Sequence, residues 1–371
     1  MALTELEEKT ERLTEMLARE NLGAVLLNAQ HNFAWLTGGS TNGIDLSREN
    51  GAASLLVTRS GKRYLLANNI EMPRMLAEEV SADDFEPADF SWQEEKAIGD
   101  TALKKAKILA DGDIATDIPL FGGAAAIEGK IAHCRYKLTD HEISRYRQLG
   151  RDAGAIMQNI IEEITPGDSE ISIAAKIQSA HARHNVRSVV TLVAADERIA
   201  RFRHPAPTEN CWKKTLLMVT CAKRFGLIVS LSRIVCIGPI PDDLQRKTEA
   251  NASVNAALFA ATRPGITGAE MYAVAAAAYA ANGFDGEIDK HHQGGAAGYK
   301  TREWVAHPQS SEIVHLDQAF AWNPSVTGTK VEETILTAES GIEVITTSPD
   351  FPQIETNING QYFFSPGILS I

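Results

Sequence analysis

The sequence has few cysteines and no long apolar run. Its four cysteines, which form no C-x-x-C pair, are interpreted as reduced thiols of a cytoplasmic protein. No apolar stretch approaches the roughly 18–20 residues of a membrane span. The N-terminal stretch MALTELEEKTERLTEML is charged and lacks the apolar core of a signal peptide. We therefore expect no association with a membrane.

Positive charge is also scarce. The chain has 36 Lys and Arg against 48 Asp and Glu, a net charge of -12, which argues against a general nucleic-acid partner but leaves room for a locally basic pocket. What is present is a chain of 371 residues that is 44% hydrophobic and 23% charged. This length and composition are typical of a globular protein with two domains and a sizeable core.

Helix and strand patterns alternate over the first part of the chain. Apolar residues at helical spacing predict a helix over residues 3–20, and the apolar residues 23–27 predict a buried strand. Residues 53–58 and 63–67, joined by a turn that contains glycine, predict a hairpin. The alternation continues to about residue 130, and we assign an α/β domain to residues 1–137.

The second domain, residues 138–371, contains an approximate repeat. It opens with a long amphipathic helix that Thr139 or Asp140 can cap. A Pro-Gly break, a Ser or Thr cap and an acidic first turn then occur twice, around residues 164–170 and 262–270. This predicts an internally duplicated α/β domain. Apolar strands are predicted after the two copies, at residues 188–194, 216–220, 226–238, 318–322 and 329–337.

The stretch HHQGGAAGYKTREW, residues 291–304, suggests a metal or phosphate loop. Adjacent side chains on a strand point to opposite faces, so on a strand His291 and His292 are poorly placed to share an ion, although a loop relaxes this. The nearby strands supply few carboxylates. The glycines do not match the spacing of known phosphate-binding loops. A glycine-rich turn, in which the glycines allow positive φ, explains them equally well.

A second polar loop, RFRHPAPT, places His204 between two arginines and two prolines. One interpretation is a solvated loop histidine. The other is a general base on a stiff backbone, with cations nearby that favour the neutral imidazole.

Together these segments resemble the pita-bread family of creatinase, prolidase, aminopeptidase P and methionine aminopeptidase. The similar stretches are NFAWLTGG at residues 32–39, the Pro-Gly break at residues 263–265 and SPGIL at residues 365–369. The resemblance implies an α/β protein with a creatinase/prolidase-like N-terminal domain and a pita-bread domain with internal pseudo-two-fold duplication. It also implies a homodimer in which Trp35, Arg48 and Glu49 are candidates to reach a neighbouring site.

Metallopeptidases of this family hold two metal ions with two aspartates, a histidine and two glutamates. The resemblance implies that these positions are Thr220, Ser230, Gly295, Asn323 and Glu332, of which only Glu332 is an acid. One carboxylate does not hold a dinuclear centre. We therefore expect no metal and no cofactor, and chemistry like that of creatinase, which uses this fold without metal to hydrolyse a C–N bond.

The catalytic histidine of creatinase lies in a context similar to FRHPAPT, which implies that His204 is a general acid or base. Glu332 is the second catalytic candidate, orienting a polar group or an arginine. A pocket with few acids and several cations is expected to bind a carboxylate, unless the cations form structural salt bridges. The candidate substrate-binding residues are Arg203, Arg233, His292, Arg302, Glu303, Asn323, Lys330 and Trp35, the last of which could equally belong to the core.

The expected activity is metal-independent hydrolysis of a C–N bond in an amide, amidine or lactam of a small, carboxylate-bearing metabolite. One alternative is a metallopeptidase of the Xaa-Pro dipeptidase or aminopeptidase type. The other is a non-catalytic pita-bread protein that binds a ligand.

Overall fold

The computed structural model describes residues 3–371 and divides them into two compact units. The first unit ends at Tyr136, and the second is Lys137–Ile371. Across the described residues, no helix combines the length and the apolar character needed to cross a membrane.

The first unit contains a five-stranded mixed sheet in the order β4-β3-β2-β1-β5. Strands β1, β2 and β3 pair antiparallel, whereas β4 and β5 pair parallel to their neighbours at the two edges. The strands are β1 (Ala24–Ala29), β2 (Asn50–Thr58), β3 (Arg63–Asn68), β4 (Glu86–Phe90) and β5 (Ile114–Thr116). The helices are α1 (Glu5–Arg19), α2 (Gln30–Leu36), α3 (Met72–Arg74), a π-helix (Met75–Glu79), α4 (Trp92–Ile98), α5 (Thr101–Leu109) and α6 (Glu128–Tyr136).

The helix, strand and hairpin predicted for the start of this unit are confirmed. Thr4 begins α1 with a capping box, in which its side chain accepts from the Glu7 amide and the Glu7 carboxylate accepts from the Thr4 amide. The predicted hairpin pairs Leu55 with Leu65 across a turn at Gly61, whose φ is +82°. Apolar side chains on both faces of β1 are buried, so this strand lies in the core.

The second unit has two main sheets, in the orders β16-β8-β7-β6 and β10-β9-β11-β12-β13, and a separate hairpin of β14 and β15. Its helices are α7 (Asp140–Glu163), α8 (Glu170–Arg183), α9 (Arg198–Arg201), α10 (Asp242–Ala261), α11 (Gly268–Ala281) and a 3-10 helix (Asp285–Lys290). Its strands are β6 (Arg187–Ala195), β7 (Thr215–Arg224), β8 (Leu227–Cys236), β9 (Gly294–Ala297), β10 (Trp304–Val305), β11 (Ala319–Trp322), β12 (Glu333–Ala338), β13 (Gly341–Val344), β14 (Gln353–Ile358), β15 (Gln361–Pro366) and β16 (Ile368–Ser370).

Both copies of the predicted helix, break and helix are present. Thr139 caps α7 in a capping box with Glu142, Ser169 caps α8, and Thr267 caps α11. The strands β6, β7 and β8 follow α8, whereas β9 to β13 follow α11. The first copy therefore supplies three strands of one sheet, which β16 from the end of the chain completes, and the second copy supplies the other sheet.

The two sheets meet where β8 lies beside β12. The Ser230 amide donates to Thr334 Oγ1 (2.7 Å), and the Ser232 amide donates to the Glu332 carbonyl (3.1 Å). The strand predicted at residues 329–337 begins only at Glu333. The preceding residues turn back instead, because the Val331 amide donates to the Pro324 carbonyl (3.0 Å). This turn brings polar residues of the segment 323–332 beside β8.

Candidate active site

Three histidine side chains lie together in the second unit. Nε2 of His204 and Nε2 of His291 are 3.0 Å apart, and the rings of His291 and His292 stack with their centroids 4.4 Å apart. One ring nitrogen from each residue lies within 4.8 Å of the other two. Adjacent side chains on a strand would face opposite ways, but His291 and His292 precede β9 rather than lying in it, and a loop relaxes this constraint. We call these three residues the histidine cluster.

Contacts around Gln293 fix the segment that carries His291. The Tyr279 hydroxyl donates to Gln293 Oε1 (2.7 Å), while Gln293 Nε2 donates to the His291 carbonyl. The next residue, Gly294, has a φ of +103°, and a Cβ there would lie 2.1 Å from the Ala321 carbonyl oxygen. Only glycine fits this position, so the turn into β9 holds the histidine pair in place.

An ion pair ties His204 to the helix before His291. Arg203 donates to the buried Glu287 carboxylate and to Thr327 Oγ1 (2.9 Å), and the Thr327 amide donates to the same carboxylate (3.0 Å). Burial alone would raise the pKa of Glu287, but its bonds to Lys290, Thr327 and Arg203 lower it, so the carboxylate is ionised. Arg203 was predicted to bind substrate, yet its guanidinium is engaged in this clamp.

Glu287 and Thr327 were not found by sequence reasoning. They are separated from Arg203 by 84 and 124 residues, and neither lies in a motif. The only available signal was the unpaired charge of Arg203 beside His204, which required a partner from elsewhere in the fold.

A buried carboxylate and two cations form a second group, which we call the Glu332 triad. Arg302 Nη2 lies 3.1 Å from Glu332 Oε1, and Lys330 Nζ lies 2.9 Å from Glu332 Oε2. Burial would raise the pKa of Glu332, but Lys330 and Arg302 lower it, so Glu332 is a carboxylate. Two positive charges against one negative charge leave this region with a net positive charge.

The histidine cluster is held in its neutral form. Desolvation is the largest cause that lowers the pKa of each histidine, to about 2 for His291 and about 4 for His292, with a smaller decrease for His204. The positive charges of Lys330 and Arg302 lower the pKa of His204 and His292 further. At neutral pH the cluster therefore presents nitrogen lone pairs, not imidazolium cations.

Arg233 differs from its predicted role. Its side chain is buried, forms an ion pair with Glu333 (2.9 Å), and donates to Ser348 Oγ (3.0 Å) and the Thr346 carbonyl (2.8 Å). The guanidinium of Arg233 donates only to groups inside the protein and does not face a substrate. Arg233 therefore forms a structural salt bridge, which was the alternative to substrate binding in the sequence analysis.

The remaining candidates lie in different surroundings. Asn323 is buried, and its Oδ1 has no hydrogen-bond partner among residues 3–371. Glu303 accepts from the Tyr299 amide (3.1 Å) beside β10. Trp35 belongs to the first unit, is fully buried, and lies 5.7 Å from Lys9 Nζ, which makes it a core residue.

The positions that the resemblance implies for two metal ions do not fit them. Thr220 hydrogen-bonds to Ser188 (2.9 Å), and the Ser230 hydroxyl donates to Cys221 Sγ (3.3 Å). A Cβ on Gly295 would lie 2.1 Å from the Trp304 carbonyl oxygen, so no side chain can extend from that position. Glu332 is already neutralised by two cations. The one group of potential metal ligands is the histidine cluster, within the part of the chain that the structure describes.

This arrangement combines two chemical capacities. Neutral imidazoles can activate water, and His204 and His292 are exposed, so a small molecule can reach them. Lys330 and Arg302 can bind a substrate carboxylate or stabilise an oxyanion. Together these groups suit attack of water on a small molecule that carries a carboxylate.

Comparisons of the sequence and of the structure with known proteins point to the same family. The Xaa-Pro dipeptidase of Pyrococcus horikoshii is 21% identical over 354 residues, which cover 92% of this chain and 97% of the relative. The crystal structure of the prolidase from Pyrococcus horikoshii OT3 has a TM-score of 0.76 at 18% identity, covering 92% of this chain and 98% of that one. The N-terminal domain of the FACT complex subunit SPT16 from chickpea has a TM-score of 0.70 at 10% identity, with 93% and 97% covered.

These findings correct the activity expected from the sequence. The expectation of a metal-independent, creatinase-like hydrolase is wrong, because the curated relatives of this chain are Xaa-Pro dipeptidases, which agrees with the alternative of a metallopeptidase. The expectation rested on the loss of carboxylates at the family's ligand positions. Residues 9–148 match the creatinase/prolidase N-terminal domain and residues 144–346 match metallopeptidase family M24, so this chain belongs to that family.

Proposed function

We propose that this chain hydrolyses the peptide C–N bond of a dipeptide or a similarly small substrate. Membership of family M24 and similarity to Xaa-Pro dipeptidases support a peptidase. The observation that carries the proposal is the position of the neutral histidine cluster beside the Glu332 triad. One group can activate water, and the other can hold the carboxylate of a dipeptide.

Each group has a separate role in this proposal. The histidine cluster activates the attacking water. Arg302 and Lys330 bind the carboxylate, and Glu332 holds both cations in position. Asn323 and Glu303 contribute polar contacts to the substrate. Water adds its oxygen to the carbonyl carbon, the C–N bond breaks, and the two protons of water end on the new carboxyl group and the leaving amine.

A panel of dipeptides tests this activity. The purified chain is incubated with Xaa-Pro and other dipeptides, and free amino acids are measured by mass spectrometry. We expect His204→Ala and His292→Ala to lower kcat/KM by about 100-fold or more, the usual contribution of a group that activates water. His184→Ala removes an exposed histidine from the end of α8 and serves as the control, with unchanged activity.

Dipeptides with an amidated C-terminus test the role of the cations. If Arg302 and Lys330 bind the carboxylate, amidation should raise KM by about tenfold or more, since a charge-assisted pair contributes at least about 1.5 kcal/mol. Cleavage of amidated and free dipeptides at the same rate would contradict this role. Absence of hydrolysis across the whole panel would contradict the proposed activity itself.

The observation that four of five family ligand positions lack a matching side chain favours a second candidate, a binding protein without catalysis. A structural relative, the SPT16 domain, is described as part of a complex. Under this alternative, dipeptides would raise the melting temperature of the chain without being cleaved. The dipeptide panel separates the two, because it measures cleavage and thermal shift on the same samples.

We also propose that the chain acts in the cytoplasm as a homodimer. All four cysteines are free thiols, three of them buried, which suits a reducing compartment. The proposed partners are a small-molecule substrate and a second copy of the chain, with no role for nucleic acid.

A further inference from the structure

We infer that His204, His291 and His292 together bind one divalent transition-metal ion. The role of this ion in hydrolysis rests on the proposed function. The binding of the ion does not. The binding itself follows from the positions of three ring nitrogens. None of the three residues occupies a position that the family resemblance assigns to a metal ligand.

The geometry comes close to a three-histidine metal site. In such a site, nitrogen lies about 2.0–2.1 Å from zinc, which places neighbouring nitrogens roughly 3.3–3.4 Å apart in a tetrahedron. His204 Nε2 and His291 Nε2 are 3.0 Å apart, and one ring nitrogen from each of the three residues lies within 4.8 Å of the other two. His204 and His292 are exposed, so their rings have room to turn toward a shared ion.

A hydrogen bond alone does not account for this cluster. Two neutral imidazoles can share one proton between His204 Nε2 and His291 Nε2, and such a pair needs no third ring. His292 nevertheless stacks on His291 and directs a nitrogen to the same place. Three converging lone pairs are what a metal ion requires.

The donor set selects the kind of ion. Imidazole nitrogen suits Zn²⁺, Co²⁺, Ni²⁺ and Cu²⁺, whereas Mg²⁺ and Ca²⁺ prefer oxygen ligands. Three protein ligands leave a further coordination position open, as in catalytic rather than structural zinc sites. The positive charges of Lys330 and Arg302 act against a cation, so we expect moderate affinity, which a bound carboxylate would increase.

The arrangement that brings the ligands together supports a built site. Arg203, next to His204, is paired with Glu287 in the helix that precedes His291. Gln293 and Gly294 fix the backbone on the other side. Both segments are thus held by contacts that do not involve the imidazoles, so the backbone that carries the three rings is positioned before any ion binds.

Titration with Co²⁺ and Zn²⁺ tests the inference without any measurement of activity. The full chain, free of purification tags, is titrated with Co²⁺ while visible absorption is recorded, and Zn²⁺ is then added in competition. We expect one Co²⁺ per chain, with tetrahedral-type absorption that Zn²⁺ abolishes. His204→Ala and His292→Ala should each weaken Co²⁺ binding by at least about tenfold. Loss of a residue that only supports a metal ligand already costs about 10- to 100-fold in affinity, and these residues are ligands themselves.

His184→Ala serves as the control and should bind like the wild-type chain. Far-UV circular dichroism and thermal melts verify that each variant is folded. Because His204 and His292 are exposed, their replacement by alanine should disturb the fold little. The inference is overturned if Co²⁺ and Zn²⁺ do not bind, if two ions bind per chain, or if both variants retain wild-type affinity. Metal binding without cleavage of any dipeptide would instead overturn the proposed function and leave the metal site intact.

Discussion

At the scale of single residues, partners within the protein fix the charge of the groups at the site. Glu332 is ionised because Lys330 and Arg302 lie beside it, and the histidines are neutral because they are desolvated beside those cations. A residue that loses its partner here leaves a charge with little access to water. Substitutions should therefore affect stability as well as activity.

Glu332→Gln should destabilise the chain by about 3–5 kcal/mol, because it leaves the buried Lys330 and the largely buried Arg302 without their counter-charge. The side chains of Glu332 and Lys330 are only 3% and 6% exposed. Urea denaturation followed by circular dichroism measures the free energy of unfolding. Glu343→Gln is the matched control, since it breaks an exposed pair with Arg147 and should cost no more than about 1 kcal/mol. Equal losses in the two variants would contradict the account.

Sequence reasoning reached individual site residues unevenly. The resemblance pointed to His204, Arg302 and Glu332, and the structure brings these residues to one region. Strand geometry alone does not describe His291 and His292, because they precede β9 and the direction of neighbouring side chains in a loop depends on backbone angles that the sequence does not state. Sequence reasoning also misjudged Arg233, whose partner Glu333 comes from a different sheet.

At the scale of elements, the clamp between the loop of His204 and the 3-10 helix decides the geometry of the histidine cluster. Arg203, Glu287 and Thr327 come from three separate segments and contact one another directly. None of them needs to touch substrate. They position His204 relative to His291.

Glu287→Gln should loosen this clamp and displace His204. We expect kcat/KM for dipeptides to fall about 10- to 100-fold, with most of the loss in kcat, since small displacements of a reacting group are costly. Co²⁺ affinity should fall in parallel. Asp289→Asn, which removes an exposed charge from the same 3-10 helix, is the control and should change neither quantity. Unchanged kinetics and Co²⁺ affinity in folded Glu287→Gln would show that the clamp does not position His204.

Elements with local signals were predictable. Thr139 with Glu142 predicted the start of α7, and alternating apolar residues around a glycine turn predicted the hairpin of β2 and β3. The prediction that a strand begins at residue 329 is wrong, because the Val331 amide donates to the Pro324 carbonyl and β12 begins only at Glu333. Local apolar patterning does not reveal such a turn, which depends on contacts with β8.

At the scale of the whole molecule, the fold agrees with the family while most residues at the family's ligand positions differ. The two-part architecture and match to family M24 extend over most of the chain. Within that frame, neutral residues replace most of the expected ligands, and three histidines gather nearby. A conserved architecture can therefore carry a differently constructed centre.

The proposed dimer has a candidate contact surface on the first unit. Ile44 and Leu46 are 58% and 54% exposed on one segment, an unfavourable exposure for large apolar side chains. Light scattering coupled to size-exclusion chromatography should give twice the chain mass of 40.3 kDa. Ile44→Asp with Leu46→Asp should shift the chain to a monomer, whereas Ile108→Asp, at an 80% exposed site, should not. A monomeric wild-type chain would refute this proposal.

The most direct test of the central claim is the position of bound zinc in crystals. Diffraction data are collected on both sides of the zinc absorption edge from crystals of the full chain grown with Zn²⁺. We expect one anomalous peak per chain, about 2.0–2.1 Å from a ring nitrogen of each of His204, His291 and His292. A pair of peaks beside Glu332, or no peak at the histidine cluster, would contradict the claim.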